Sequence, residues 1–189
     1  MSYNKTRSKQ AKLIRYLRKI HRYTGVALFV FFFIIAVSGF FLGLKNNFNG
    51  AILPKTMKGQ SSNLATWKPI HQLEEKAVAV LKDSVSPKLS TNLSRIDIRQ
   101  QKGIVKFIFE EHLYEIQLDG KTGQVLQIGK RNSDLLEDIH DGSILDTFFN
   151  TKNSYFKITY STLMSTALLV FTLTGFWLWY GPKRMKKRK

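Results

Sequence analysis

The chain has 189 residues, with 30 Lys and Arg against 13 Asp and Glu, and it has no cysteine. This length allows one domain, or a small domain with appendages. The lack of cysteine excludes disulfides, zinc ribbons, Cys-ligated iron–sulfur clusters and C-x-x-C-H haem attachment. Any firmly held cofactor would therefore use His, Met, carboxylate or carbonyl ligands.

The formal net charge of +17 is concentrated at the two ends of the chain. Residues 1–22 carry eight basic and no acidic residues, and residues 183–189 carry six basic and no acidic residues. Each basic block adjoins an uncharged apolar run, of 21 residues at 24–44 and of 24 residues at 158–181. This distribution argues against nucleic acid as a partner and predicts contact with membrane lipid.

Both apolar runs are long enough to cross a hydrocarbon core of about 30 Å at about 1.5 Å per residue. The predicted transmembrane helices are 23–44 and 158–181. The first is interpreted as an anchor rather than a cleaved signal peptide, because it is longer than a typical signal region and lacks a small-residue cleavage site. The basic flanks predict that 1–22 and 182–189 are cytoplasmic and that 45–157 lies on the other side of the membrane.

The segment between the runs predicts a small α+β domain at 65–130. Residues 45–64 are polar and weakly patterned, and we interpret them as a tether. After Pro69, apolar residues recur on one face at helical spacing, at Leu73, Ala77, Val80 and Leu81. From Leu93 to Ile128, alternating segments predict an antiparallel meander of three or four strands, with the helix covering its apolar face. The acidic residues of the hairpin, Glu110, Glu111 and Glu115, are expected to lie on a solvated strand face.

Residues 131–157 are predicted to be a helical connector that leads to the second membrane helix. A short helix over 133–140 should end at Asp141 and Gly142. The aromatic and aliphatic residues that follow predict an amphipathic segment lying on the membrane surface.

Four sequence features occur in an order that resembles a known family. They are Arg18-Lys-Ile-His21-Arg-Tyr-Thr-Gly25, Tyr114-Glu-Ile-Gln-Leu-Asp-Gly-Lys-Thr-Gly-Gln-Val-Leu126, Ile139-His-Asp-Gly142 and Leu173-Thr-Gly-Phe-Trp-Leu-Trp179. Over about residues 12–182 the chain resembles PepSY-associated transmembrane proteins, and its middle resembles a PepSY domain. The resemblance implies an α+β membrane protein, in which two transmembrane helices flank a small periplasmic domain with one helix on an antiparallel sheet.

The resemblance also implies a function. Larger members of the family have more spans and resemble ferric-siderophore reductases that bind b-type haem through histidines. The implied role is an inner-membrane accessory protein of iron–siderophore uptake or of a transmembrane redox system, with haem b as its cofactor. PepSY domains elsewhere resemble protease propeptide modules. The alternative is therefore a membrane-anchored module that docks or inhibits a partner such as a peptidase, without a cofactor.

An enzyme acting by itself is not predicted. The chain has only two spans, the second span contains no histidine, and we find no catalytic or nucleotide-binding motif. A contribution to a larger reductase-like system remains compatible with these features.

Two of the four histidines are the candidate haem or metal ligands, because they lie at the predicted membrane boundaries. His21 precedes the first span, and His140 lies at the other face beside Asp141, whose carboxylate could tune the imidazole. Each also has an ordinary interpretation, His21 as an interfacial cation and His140 as a helix-end side chain. His71 and His112 are expected to be solvated.

One chain cannot clamp one haem with both histidines, since a span separates them by about 30 Å and the axial nitrogens of one haem lie about 4 Å apart. This predicts a homodimer or a larger membrane partner. Met164 is a further candidate axial ligand, although packing is the simpler interpretation.

Small residues in the spans predict close helix packing. Gly39 and Gly43 form a G-x-x-x-G pattern, which would face either a second copy or the chain's own second span. Gly175 belongs to a Thr-Gly-Phe triplet that echoes the Ser-Gly-Phe triplet around Gly39.

Overall fold

The computed structural model describes residues 2–151 and 153–186, with the backbone alone for 2–7 and 186. Residues 187–189, part of the predicted cytoplasmic tail, lie outside this description. Two compact units form. One, the sheet unit, is Phe40–Glu137, and the other, the helix unit, consists of the described residues up to Gly39 and those from Asp138 onward.

The helices and strands follow the predicted order. The helices are α1 (Ser2–Gly43), α2 (Ile70–Ser84), α3 (Asn132–Asp141), α4 (Ser143–Phe148) and α5 (Tyr155–Lys186). The strands are β1 (Leu93–Arg99), β2 (Ile104–Phe109), β3 (Tyr114–Asp119) and β4 (Val125–Lys130). Neighbouring strands pair antiparallel in the order β1-β2-β3-β4, which confirms the predicted meander.

The first face of the sheet packs against α2. Helix α2 begins after Pro69, and its buried residues are the predicted Leu73, Ala77, Val80 and Leu81. They meet the side chains that alternate onto this face of β2 and β3, among them Phe107 and Ile116, which pair across the strands and are fully buried. Burying this apolar face is the main source of the sheet unit's stability.

The second face of the sheet is buried as well. The expectation of a solvated strand face is therefore wrong for Glu115, whereas Glu110 and Glu111 are exposed as expected. Glu115 and Gln117 are both 0% exposed. The segment interpreted as a tether covers them through its backbone, since Met57 N donates to Gln117 Oε1 at 2.9 Å and Gln117 Nε2 donates to Lys55 O at 2.8 Å. Gln60 N donates to Asp119 Oδ2 at 2.6 Å on the same face.

A buried ionic network supports this second face. Glu115 accepts from Lys106 Nζ at 3.1 Å and pairs through its other oxygen with Arg131 Nη1. Arg131 Nε in turn donates to Asp134 Oδ2 at 2.9 Å, and Arg95 reaches the same oxygen at 3.0 Å. The network explains how a carboxylate can be removed from water without losing its charge.

The Asp-Gly-Lys-Thr-Gly turn is held by Asp119, as its turn chemistry predicts. Asp119 Oδ1 accepts from the backbone N–H groups of Lys121 and Thr122, both at 2.8 Å. Burial acts to raise the pKa of Asp119, but the backbone donors of Thr122, Gln60 and Lys121 outweigh it and hold that pKa below 3.8. The carboxylate therefore stabilises the folded turn in its ionised form.

Among the residues that the structure describes, two helices are long and apolar enough to cross a membrane, namely α1 from Ser8 to Gly43 and α5 from Tyr155 to Met185. Only 6% and 11% of their most apolar windows are buried within the chain. A core helix of a soluble protein would be largely buried, so these exposed faces suit a lipid environment.

Within the helix unit, α1 and α5 run antiparallel and meet through large side chains. Ile14 lies near Gly181, the Phe171 ring lies against Gly25, and Phe31 meets Tyr160 edge-on at 6.2 Å between ring centroids. Near its N-terminus, α5 is held by the carboxylate of Asp146 on α4, which accepts from the backbone N–H of Lys157 at 2.7 Å. Phe148, the last residue of α4, and the adjacent Phe149 are exposed, and the placement of this connector on a membrane surface stays a prediction.

Candidate functional site

The imidazole of His21 lies on α1 and docks on α5. Its ring stacks on Phe171, with 4.0 Å between centroids and 18° between planes. Its Nδ1 lies 3.0 Å from Thr174 Oγ1 and 3.2 Å from the backbone oxygen of Phe171. A Cβ added at Gly175 would lie 3.2 Å from His21 Cε1, so the ring edge rests directly on the glycine.

The imidazole of His140 lies near the end of α3 and docks on α1. Its Nδ1 is 2.9 Å from Ser38 Oγ, and Ser38 is 3% exposed. A Cβ added at Gly39 would lie 3.2 Å from His140 Cε1. The two histidines are therefore held in the same way, each by a hydroxyl and the glycine that follows it on another helix.

The Ser-Gly-Phe and Thr-Gly-Phe triplets thus play the same role in the structure, since each one contacts a docked histidine. In each, the hydroxyl residue contacts Nδ1 and the next residue, glycine, leaves room for the ring. The echo around Gly39 and Gly175 is visible in the sequence, but by itself it assigns no role to Ser38 or Thr174. The pairs are 102 and 153 residues apart along the chain, so no local pattern joins them.

Each imidazole borders an apolar space. His140 lines a cavity of about 290 Å³ together with Phe32, Ala36, Met164 and Leu168. His21 lines an open groove of about 540 Å³ with Arg22, Gly25, Val26, Phe29 and Phe171. The largely apolar linings of both spaces suit a flat, apolar ligand that contacts the ring nitrogen.

Asp141 does not contact His140 as the sequence suggested. Its carboxylate pairs with Lys157 Nζ at 2.6 Å and accepts from Ser143 Oγ at 2.6 Å. Burial acts to raise the pKa of Asp141, but the contacts with Lys157 and Ser143 prevail and hold it below 3.8. With Ser161 Oγ donating to Asp141 O at 3.1 Å, this residue anchors the end of α3 to α5 and so positions the neighbouring histidine.

Of the other predicted residues, His71, His112 and Gly43 lie apart from these two docking points, whereas Met164 lies beside one of them. His71 is exposed, as expected, whereas His112 is half-buried, because its Nε2 lies 2.9 Å from Ser90 O and its ring lies against Phe109 and Tyr114. A Cβ added at Gly43 would meet no side-chain or distant backbone atom within 4 Å. Met164 is 5% exposed and shares the cavity of His140.

The structure keeps His21 and His140 apart. His140 docks at position 38 of α1, which is 17 residues beyond His21, and a continuous helix spans about 26 Å over that length. Among the described residues there is no group of three or more His, Asp or Glu that could hold a metal ion. Each docking point therefore offers one imidazole of its own rather than a shared ligand set.

Comparison with known proteins agrees with this architecture. A family profile described as the PepSY-associated TM region matches residues 18–189. No curated protein matches the chain. The matched segment includes α1 from residue 18 onward, the sheet unit, α5 and both docked histidines, and we conclude that the chain belongs to the PepSY-associated transmembrane family.

Proposed function

We propose that this membrane protein is a haem-binding accessory component of iron–siderophore uptake or of a transmembrane redox system. The observation that carries the proposal is the repeated docking of an imidazole beside an apolar space, at His21 and at His140. Intramembrane and interfacial ionisable residues are costly and commonly functional. Two of them held by one repeated arrangement argue for a common role.

The chemistry of the docked histidines fits b-type haem. Haem iron accepts one imidazole nitrogen, while the other nitrogen is held by a hydrogen bond that orients the ring. Among the side chains that the structure describes, Nδ1 of each histidine has such a partner and Nε2 has none. When bound, haem would supply one-electron chemistry, and the chain would hold and orient it through His21 and His140.

A second ligand to the haem would come from a second copy or from a larger membrane partner. Each docking point offers one imidazole, and the groove at His21 is open along the helix surface. His21 of two chains could therefore face each other across a dimer. At His140, the thioether of Met164 lines the same cavity and is an alternative within the chain.

The proposed location is the bacterial inner membrane, with both ends of the chain in the cytoplasm and the sheet unit in the periplasm. The support is the positive charge beside the outer end of each apolar helix. Alkaline phosphatase fused near residue 85 should be active, and the same enzyme fused at residue 189 should be inactive. Activity of the C-terminal fusion would contradict this topology.

The absorption spectrum of purified protein tests haem binding. Protein in detergent, from cells supplied with haem, should show a Soret band and split α and β bands after reduction. The double substitution His21→Ala and His140→Ala should remove these bands, and His71→Ala, at an exposed helix position, should leave them unchanged. A wild-type protein that remains colourless when it is purified from such cells, and also when haem is added to it in detergent, would refute the proposal.

A second candidate function is docking of a partner by the sheet unit. It is favoured by β1, which is an edge strand of the sheet and carries Ile98, 51% exposed. An extended segment of a partner such as a peptidase could add to this edge through backbone hydrogen bonds. A photo-crosslinker at the exposed position 99 of β1 should then capture one specific periplasmic protein, and Ile98→Lys should abolish its capture.

A further inference from the structure

We propose that Ser38 and Thr174 are positioning residues that fix the proton of each docked imidazole on Nδ1, and that His140 depends on its hydroxyl more than His21 does. One consequence, that Nε2 is the nitrogen left to bind haem, rests on the proposed function. The proton assignment itself follows from hydrogen-bond geometry.

At His140 the hydroxyl of Ser38 has one hydrogen to give. Ser38 Oγ lies 2.6 Å from Ile34 O and 3.3 Å from Ile35 O, on the preceding turn of α1. Backbone oxygens only accept, so the hydroxyl hydrogen points to Ile34. The oxygen is then left to accept at 2.9 Å from His140, whose Nδ1 must carry the hydrogen.

At His21 the same assignment has two supports. Thr174 Oγ1 donates to its own helix, at 2.8 Å from Val170 O and 3.0 Å from Phe171 O, and so accepts from His21. Independently, His21 Nδ1 lies 3.2 Å from Phe171 O, an atom that cannot donate. Both contacts require the hydrogen on Nδ1, which leaves the lone pair of a neutral ring on Nε2.

The two docking points therefore differ in the number of contacts that hold the imidazole. His21 has a hydroxyl, a backbone oxygen and a stacked ring as contacts, from Thr174 and Phe171. For His140, Ser38 is the one hydrogen-bond partner found among the described residues. Loss of the hydroxyl should release the ring of His140, whereas His21 should keep its Nδ1 hydrogen on the Phe171 oxygen.

The glycines beside the hydroxyls belong to the same arrangement. Cβ atoms at positions 39 and 175 would each lie 3.2 Å from the Cε1 atom of a docked ring, which is closer than ordinary contact. Gly39→Ala should therefore push His140 away from Ser38. Gly43→Ala is a matched control on the same helix, because a Cβ there meets nothing within 4 Å.

Nitrogen NMR of ¹⁵N-histidine-labelled protein in detergent, without haem and at pH 8.5, tests the proton assignment directly. The wild type should show both docked rings with hydrogen on Nδ1. Ser38→Ala should shift the tautomer ratio of His140 about tenfold, the effect of one hydrogen bond, and Ser38→Thr should restore it. Thr174→Val should change His21 far less, and Thr172→Val, at an exposed position of α5, should change nothing.

The haem-loaded protein gives a second measurement. Loss of a hydrogen bond from Nδ1 makes an imidazole a weaker electron donor, so Ser38→Ala should raise the reduction potential of its haem more than Thr174→Val does. If haem does not bind but the NMR result holds, the proposed function fails and the positioning role stands. A wild-type spectrum with hydrogen on Nε2, or a Ser38→Ala spectrum unchanged from wild type, would overturn the inference.

Discussion

The buried polar side chains of the sheet unit and the two docked histidines of the helix unit differ in how completely they are bonded within the protein. In the sheet unit, Lys106, Glu115 and Gln117 are buried and bonded to one another or to the backbone. In the helix unit, His21 and His140 each use one ring nitrogen and leave the other without a partner among the described side chains. The first pattern serves folding, and the second leaves bonding capacity for a ligand.

This difference predicts that the stability of the sheet unit and ligand binding at the histidines can be changed independently. Substitutions inside the sheet unit should change its free energy of unfolding and leave the histidine docking points intact. Substitutions at the docking points should change ligand spectra and leave the sheet unit folded. Both halves of that statement can be tested in the full-length protein.

The largest effect is expected at the apolar core of the sheet unit. Phe107→Ala should lower the free energy of unfolding by about 3–5 kcal/mol, because it removes a ring that is 0% exposed between β2 and α2. Hydrogen exchange of the β2 amides, measured by mass spectrometry in detergent, reports this change. Ile98→Ala, at a half-exposed position, should alter exchange little, and an equal effect from both would contradict the assigned core.

A substitution in the ionic network should lower the free energy of unfolding nearly as much. Glu115→Gln removes the charge shared by Lys106 and Arg131 and should destabilise the sheet unit by about 3 kcal/mol, because two cations lose their buried partner. The same exchange measurement applies. Glu110→Gln, at an exposed turn position, is the control, and an undisturbed Glu115→Gln protein would show that the network adds no stability.

A smaller effect is expected at acid pH. For Asp134, burial acts to raise the pKa, but its bonds with Arg131 and Ser133 hold the pKa below 3.8. Together with Asp119, whose pKa is also lowered, it stabilises the fold fully above that value and loses its contribution as pH falls through the folded-state pKa. Asp134→Asn should therefore make stability less dependent on pH below about 4. A slope identical to that of the wild type would contradict this assignment.

Much of the sheet unit could be predicted from the sequence because its signals are local. Helical spacing identified all four buried residues of α2, and alternation identified the strands. The second face could not be predicted, since the segment that covers Glu115 and Gln117 contributes mainly backbone atoms, such as Met57 N and Lys55 O. Backbone donors and acceptors are the same at every residue, so they leave no compositional signal.

The histidine docking points were predictable only in part. His21 and His140 could be singled out by their place beside apolar runs, but their partners Ser38 and Thr174 are distant in sequence. The two triplets that contain Ser38 and Thr174 were the one available signal. This signal can be interpreted only once the fold shows that each triplet contacts a histidine from another helix.

The number of haem groups per chain, measured by pyridine haemochrome assay, tests the central claim most directly. That claim is that His21 and His140 are two separate ligand sites, about 26 Å apart along α1. Each single substitution to Ala should then remove the haem of its own site and retain that of the other, and the double substitution should remove both. Complete loss from either single variant, or undiminished haem in the double variant, would contradict the claim of two separate sites.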